Sequence, residues 1–431
     1  MRKIDDIKYK WSDKHNEIIC MPSSANEKSD KRFVGIKVEK SDENNKKRIV
    51  KFFYPEAYKL SIEDDYENDD LVEINDDKKD LILNDIQLIL ESIYLLSKHA
   101  SENDEQDEEL DHNLPLKAME YIINDYLINK RYINNQKEYK VGIYDKINWK
   151  RTLQNQPFIS NTNIIYPYFV SEIKTHKDNL ITEIYMYCVK QSFDYFGWFY
   201  DLQFDETIDY NQLFNPDKYL AAIDSELHKT FIEQSQERLV NMRNIISFFA
   251  RKKANNQNLG YGIDKYELVF EKMLDKLFSN VTDKSIFYPQ GYWKIDDKNE
   301  LKTPLRPDCI MVDNNDLYII DAKYYRYGIS KNPNDLPDSS NMAKQIIYGQ
   351  YNYFRNIYNH VYNIFILPYK KQNKDDQTLK YFGYASLNWN YENLDHQKIR
   401  GLFIDLNFLV NNWFKNNHEI KEEFKKIIKN H

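Results

Sequence analysis

Apolar positions along this chain change their spacing three times, and each spacing predicts a different kind of element. Near the N-terminus, Phe33-Val34-Gly35-Ile36-Lys37-Val38 and Ile49-Val50-Lys51-Phe52-Phe53-Tyr54 alternate in the manner of strands, whose side chains project to opposite faces in turn. An apolar window over 81–98 then predicts a helix. From about 114 to 253 the spacing becomes helical: Leu116, Met119, Ile122, Ile123, Tyr126 and Leu127 recur on one face. Leu239, Met242, Ile245, Ile246 and Phe249 do the same within a long segment beginning near Tyr219. From about 256 the pattern is helix, strand, strand, helix, strand. Tyr266, Val269, Phe270, Met273, Leu274, Leu277 and Phe278 form an unbroken i, i+3, i+4 stripe. Ala343, Ile346, Ile347, Tyr351, Phe354 and Tyr358 form another. A strand over 361–367 bounded by Pro368, a further strand over 381–387 and a C-terminal helix over 402–414 complete the reading.

This order predicts an α/β protein in three parts. Residues 1–111 form a small mixed domain with no assigned role, 112–255 a mainly helical domain suited to DNA recognition, and 256–431 an α/β core. The acidic run 102–111 is the candidate linker. With 10 Gly, 12 Pro, 35 Tyr and 23 Phe in 431 residues, the chain is aromatic-rich and folded, not low-complexity. Its three cysteines are widely spaced and odd in number, which fits a reducing compartment and offers no zinc site. Met1-Arg2-Lys3-Ile4-Asp5-Asp6 lacks the apolar core of a signal peptide, and Asn84, Asp85, Gln87 and Glu91 interrupt the most apolar window. A cytoplasmic location is therefore expected.

The densest chemistry lies at 306–325. Asp308 opens one apolar run, Asp321-Ala322-Lys323 closes the next, and Asn314-Asn315-Asp316 supplies a turn between them. Alternation puts Asp321 and Lys323 on one strand face, and pairing of the two runs brings Asp308 toward it. Carboxylates crowded in this way call for a cation, and hard oxygen ligands suit Mg²⁺. A lysine beside such an ion can position or deprotonate a water that attacks a phosphodiester. Asp-x-Lys alone is common here, at Asp6-Ile7-Lys8, Asp77-Lys78-Lys79 and Asp296-Asp297-Lys298, but only 321–323 ends an apolar strand. The competing reading is an ordinary same-face ion pair. Glu271 flanks the first helix stripe with no countercharge at helical spacing, whereas Glu267 lies three after Asp264, the spacing of a capping box.

The net charge of −8 does not advertise nucleic-acid binding. Basic clusters nevertheless occur at 146–151, which holds Lys150 and Arg151, at 251–253 and at 370–371. Trp149 and Trp198 could be stacking platforms, though core packing is the simpler role for both. The nine histidines form no ligand pair, and no phosphate-binding Gly-x₄-Gly-Lys-Ser/Thr loop occurs.

The Pro307-Asp308 and Asp321-Ala322-Lys323 pair resembles the PD-(D/E)xK nuclease superfamily. The text around it, with Tyr266 to Met273, Lys344 to Tyr348, Ile147 to Thr152 and Tyr187 to Ser192, resembles the LlaJI-type restriction endonucleases from about residue 140 to 370. The resemblance implies a PD-(D/E)xK core at the C-terminus, a mixed sheet flanked by helices, that cuts double-stranded DNA with Mg²⁺ in defence against foreign DNA. It implies Asp308, Asp321 and Glu271 as metal ligands and Lys323 as the group acting on the nucleophile. Gln345, one turn before Tyr348, would contact phosphate or water. By their charge alone, Lys344 beside it and Lys150 and Arg151 of the basic cluster are candidate DNA contacts, a solvated face being the competing reading. It also implies a methyltransferase system as associate and makes dimerisation on DNA an expectation. The alternatives are an McrC-like subunit working with a nucleotide-hydrolysing motor, or a non-catalytic DNA-binding protein.

Overall fold

The structure, a computed structural model, describes residues 8–13, 16–23, 32–39, 48–65, 71–100, 114–132, 135–144, 146–160, 163–176, 180–200, 214–252, 259–295, 298–373, 375–388, 394–415 and 417–431. The chain forms two compact units, one of residues 1–113 with 258–431 and one of residues 114–257. Residues 102–111 of the expected linker, and with them Lys253 and Asp296-Asp297, lie outside the described residues. Among the described residues no helix is long and apolar enough to cross a membrane.

In the first unit, strands β1 (Lys8–Ser12), β2 (Asn16–Ser23), β3 (Val34–Glu39), β4 (Arg48–Pro55) and β5 (Leu71–Glu73) precede helix α1 (Lys79–Ala100). After the second unit the chain returns as β6 (Leu259–Ile263), which pairs antiparallel with β3 and completes a sheet of order β6-β3-β4-β2-β1-β5. Two glycines in register allow that docking. A Cβ on Gly35 would lie 2.2 Å from the Tyr261 carbonyl oxygen, and one on Gly262 2.3 Å from that of Val34. Only glycine tolerates so close an approach, and Gly35 also has φ +141°.

Helix α2 (Tyr266–Phe278) follows, and its Tyr266 hydroxyl meets Ser92 Oγ of α1 at 2.9 Å in the core. Then come β7 (Cys309–Asp313), β8 (Asp316–Ala322), α3 (Ser339–Phe354), β9 (His360–Tyr369), β10 (Leu379–Ala385), β11 (Ile399–Asp405), α4 (Leu406–Asn412) and α5 (His418–Asn430). The second sheet runs β7-β8-β9-β11-β10, with β8, β9 and β11 parallel and both outer strands antiparallel. Asn314 and Asn315, at φ 47° and 68°, make the tight turn of the β7–β8 hairpin, a left-handed geometry that asparagine accepts more readily than most residues. Every residue of β8 is buried, because helices cover both of its faces. Tyr348 of α3 packs with Ile310, Leu317 and Ile319. On the other face Phe424 of α5 meets Phe278 and Tyr318 at ring distances of 4.8 and 5.8 Å.

The separate N-terminal domain expected from the sequence is thus part of the same unit as the C-terminal core. Besides the β3–β6 ladder, Lys59 and Asn407 exchange two hydrogen bonds, Lys59 N–H to Asn407 Oδ1 at 2.8 Å and Asn407 Nδ2 to the Lys59 carbonyl at 2.7 Å. The expected helix over 402–414 is instead β11 followed by α4. Asp405 caps α4 by accepting from the Phe408 N–H, and it ends the strand. Pro368 lies inside β9, beyond the end of β8, where one side of the strand carries no partner strand.

The second unit contains helices Leu116–Asn129, Leu180–Phe196, Pro216–Leu227 and Glu233–Lys252. It also holds an unexpected sheet of Asn135–Val141, Val170–His176 and Lys146–Ile147. Arg238 grips Asp125 in a two-pronged pair, both bonds 2.8 Å, and Tyr185 donates to the same carboxylate. Trp198 is buried as expected, whereas Trp149 is 56% exposed.

Candidate functional site

The β7–β8 hairpin gathers the candidate residues through its register. Cys309 stands opposite Ile320, so Asp308, one residue earlier, falls beside Asp321 at the end of β8. The Ala322 N–H donates to Asp308 Oδ2 at 2.8 Å, which fixes that carboxylate against the end of the neighbouring strand. Lys323 Nζ forms an ion pair with Asp321 Oδ2 and lies 5.5 Å from the centre of the Phe365 ring. Asp321 is 3% exposed.

Glu271 enters the same electrostatic field from α2. Burial pushes its carboxyl up to about 7, the Asp321 charge adds to this, and Lys323 and Lys344 oppose it. Asp308 is held well above the usual carboxylate range, first by burial and then by Asp321 and Glu271, against the Ala322 bond and Lys323. The Asp321 charge thus raises the proton affinity of both Glu271 and Asp308, and Glu271 that of Asp308. Excess negative charge in a poorly hydrated place has this signature.

Packing around Asp308 holds it from behind. Lys284 bonds to Asp275 of α2 and donates to the Asp308 carbonyl at 3.2 Å. The Tyr348 hydroxyl donates to the Arg306 carbonyl at 2.9 Å, and Ser279 Oγ to that of Ile310 at 2.9 Å. Sequence reasoning missed Lys284 and Ser279. They sit in an aperiodic loop, and nothing in the local pattern marks a lysine there as structural.

Gln345 departs from the contact with phosphate or water expected of it, since neither it nor Tyr348 faces solvent or lies open to a ligand. Both are fully buried. Gln345 Nε2 donates to the Ile319 carbonyl at 2.8 Å, tying α3 to β8, while its Oε1 is buried without a partner. Lys344 is exposed, with Nζ 5.8 Å from the Tyr348 ring centre. The expected capping box at Asp264 does not form, because Lys265 is the N-cap residue and no side chain caps there. Of the basic clusters, 370–371 is engaged internally, Lys370 with Glu63 and Lys371 with Thr378. Lys150 and Arg151 belong to the second unit, both exposed, with the Arg151 guanidinium 3.8 Å above the Tyr139 ring.

The all-oxygen donor set fits a hard divalent cation and no soft one. Among the described residues no three His, Cys, Asp or Glu side chains stand together as a ready metal cage. One or two carboxylates, with water and substrate oxygens completing the shell, is nonetheless the usual provision for Mg²⁺.

Comparison with known proteins gives three findings. The model of the LlaJI restriction endonuclease family matches residues 45–406. No curated protein matches. Among solved structures, a chain of the half-complex of Thermococcus gammatolerans McrB AAA+ hexamers with bound McrC matches at 13% identity and a TM-score of 0.39, over 92% of this chain and 83% of that one.

Proposed function

Since the chain belongs to the LlaJI restriction endonuclease family, we propose that it hydrolyses DNA phosphodiesters at the β7–β8 hairpin with Mg²⁺, on a core of PD-(D/E)xK type. The observation that carries this reading is the Asp308–Asp321–Lys323 constellation. Two carboxylates from neighbouring strands meet at one point, with a lysine ammonium against one of them. Asp308 and Asp321 would hold the ion, with Glu271 as the third carboxylate of the set. A bound divalent cation offsets their repulsion and stabilises the charge that develops on the phosphate.

The chain's own residues supply the rest. The Ala322 N–H and the Lys284 and Tyr348 bonds keep the Asp308 loop in place while the substrate binds. Lys323 carries three donors on a flexible stem, so once released from Asp321 it can orient the attacking water and face the phosphate. Burial of Asp321 keeps bulk water from screening these charges. In this reading Gln345 fixes α3 to the back of β8 and does not touch substrate.

The deciding experiment replaces Lys323 with Ala and follows cleavage of a long duplex with Mg²⁺. The expected result is a loss of at least about a hundredfold, the scale of removing a group that acts in the transition state. Undiminished cutting would remove Lys323 from the mechanism. Action together with a nucleotide-hydrolysing motor subunit is the second reading, because the sequence carries no phosphate-binding loop of its own. Specific cutting by the purified chain without nucleotide decides against it.

A further inference from the structure

The small sheet of the second unit carries a surface that the chemistry proposed for the hairpin site does not use. That sheet, the loops beside it and the separate hairpin Phe158–Ser160 with Asn163–Ile165 expose large side chains that a folded domain normally covers. Tyr144 is 66% exposed, Trp149 56%, Phe158 67% and Tyr168 60%. Exposed apolar rings in such number mark an interaction site more often than an accident of folding.

Two of these rings, Trp149 and Tyr144, sit on segments that are held in place. Trp149 opens the one-turn helix Trp149–Thr152, and that turn is pinned to strand Val170–His176. The Asn148 side chain accepts from the Arg151 N–H at 3.0 Å, Asn148 N–H donates to the Val170 carbonyl, and buried Thr152 Oγ1 accepts from the Val170 N–H at 3.0 Å. Phe169 braces the Trp149 ring edge to face at 6.1 Å. Tyr144 is fixed in its turn by Ser171, whose Oγ accepts from the Tyr144 N–H and donates to the Gly142 carbonyl. Gly142, at φ 130°, lets the Tyr144 ring lie where any Cβ would collide at 2.6 Å.

Charge selects the partner. The whole chain has 60 Lys and Arg against 68 Asp and Glu. Residues 135–170 reverse that balance, with Lys137, Lys140, Lys146, Lys150 and Arg151 against Glu138 and Asp145. Lys146, Lys150 and Arg151 are all exposed. Rigid aromatic faces among cations describe a surface for nucleic acid, on which amines meet phosphates and rings meet bases. An acidic protein would satisfy the amines but would leave the platforms idle.

We propose that this face of the small sheet is the chain's DNA-recognition surface, with Lys146, Lys150 and Arg151 on the backbone and Trp149 and Tyr144 against bases. The choice of DNA over RNA rests on the nuclease reading. The stacking and phosphate chemistry do not.

The test measures binding of a labelled mixed-sequence DNA duplex by the full chain in chelator, so that binding is read without cleavage. Trp149→Ala with Tyr144→Ala is expected to weaken binding about tenfold or more, and Lys150→Ala to flatten the slope of log affinity against log salt by about one. A Trp149→Phe variant should bind nearly as the parent does, since its ring still stacks, and should lose part of the fluorescence change on DNA addition. Equal thermal midpoints for all variants would show that folding is intact. Duplex affinity of the double variant within twofold of the parent overturns the proposal. So does a change confined to self-association, which would make the face a protein contact. The nuclease reading is tested apart from this: if the parent chain with Mg²⁺ cuts no duplex while the Trp149 and Tyr144 variant no longer binds, that reading falls and the recognition surface stands.

Discussion

Replacing Glu271 with Gln should stabilise the protein at pH 8 in chelator while damaging its proposed activity. The carboxyl titrates near 7 in the fold against an ordinary value of 4.5, a difference of about 2.5 units. At about 1.4 kcal/mol per unit, that corresponds to roughly 3.5 kcal/mol as an upper bound. The sign follows from a raised pKa. Below pH 4.5 the group is protonated in folded and unfolded chains alike and stability is unaffected. Between 4.5 and 7 the unfolded chain gives up its proton first, and the full cost is present above 7. Glutamine keeps the shape, removes the charge and relieves Asp308, whose carboxyl is raised in part by Glu271. Urea unfolding with excess EDTA at pH 4.5 and at pH 8 reads the effect. Parent and variant should match at the lower pH, and the variant should be the more stable by about 2–3 kcal/mol at the higher. Adding Mg²⁺ at pH 8 should narrow the gap, because an ion bound only by the folded state contributes about 2.7 kcal/mol at a hundred times its Kd. A variant less stable than the parent at pH 8, or an offset equal at both pH values, would refute the idea that crowded carboxylates strain this site.

Further consequences concern the scaffold. Arg238→Ala strands Asp125 in the core of the second unit, where side chains of the pair are 8% and 4% exposed; the expected cost is about 3–5 kcal/mol in chemical unfolding. Burial raises the Asp125 carboxyl, but its bonds from Arg238, Tyr185 and Asn129 outweigh that and set it below 3.8. The parent should therefore lose this contribution only as pH falls below about 3.8, and the variant should lack that acid-dependent part. Gly349→Ala would place a Cβ 2.3 Å from Asn363 Nδ2 and 2.7 Å from the His396 carbonyl. Those two groups share a 2.8 Å bond in the core, so a loss of about 1–3 kcal/mol is expected by thermal unfolding. No measurable change would show that α3 can shift.

The sequence revealed most where local chemistry and tertiary need coincide. The β7–β8 hairpin was legible because Asn314-Asn315 admits positive φ and Asp and Lys are out of place on an apolar strand. The stripe of α2 was legible because all seven of its apolar residues are buried. What escaped was set by distant partners. The 402–414 segment has enough apolar residues for a helix, and pairing with β9 on one side and β10 on the other makes its first residues a strand. Trp149 suggested core because tryptophan usually is core, yet its surroundings are a thin sheet with little to cover it. Gln345 lay on the right helix next to the right strand, but pattern alone could not tell inward from outward within one turn.

The joining of the N-terminal strands to the core changes what those strands are for. The loop leaving Lys323 runs through Tyr324 and Arg326. Tyr324 packs against Tyr266 and Phe270 of α2 at ring distances of 5.8 and 5.6 Å. The Arg326 guanidinium is held by both oxygens of Glu56, just after β4. Glu56 is thus a clamp on the segment that must hold Lys323 in place, although 267 positions separate the two residues in sequence. The family match, which begins at residue 45, takes in β4 and this clamp. Deleting the first hundred residues as a dispensable domain would therefore remove part of the support of the site, and would leave β6 and α2 with uncovered edges and faces.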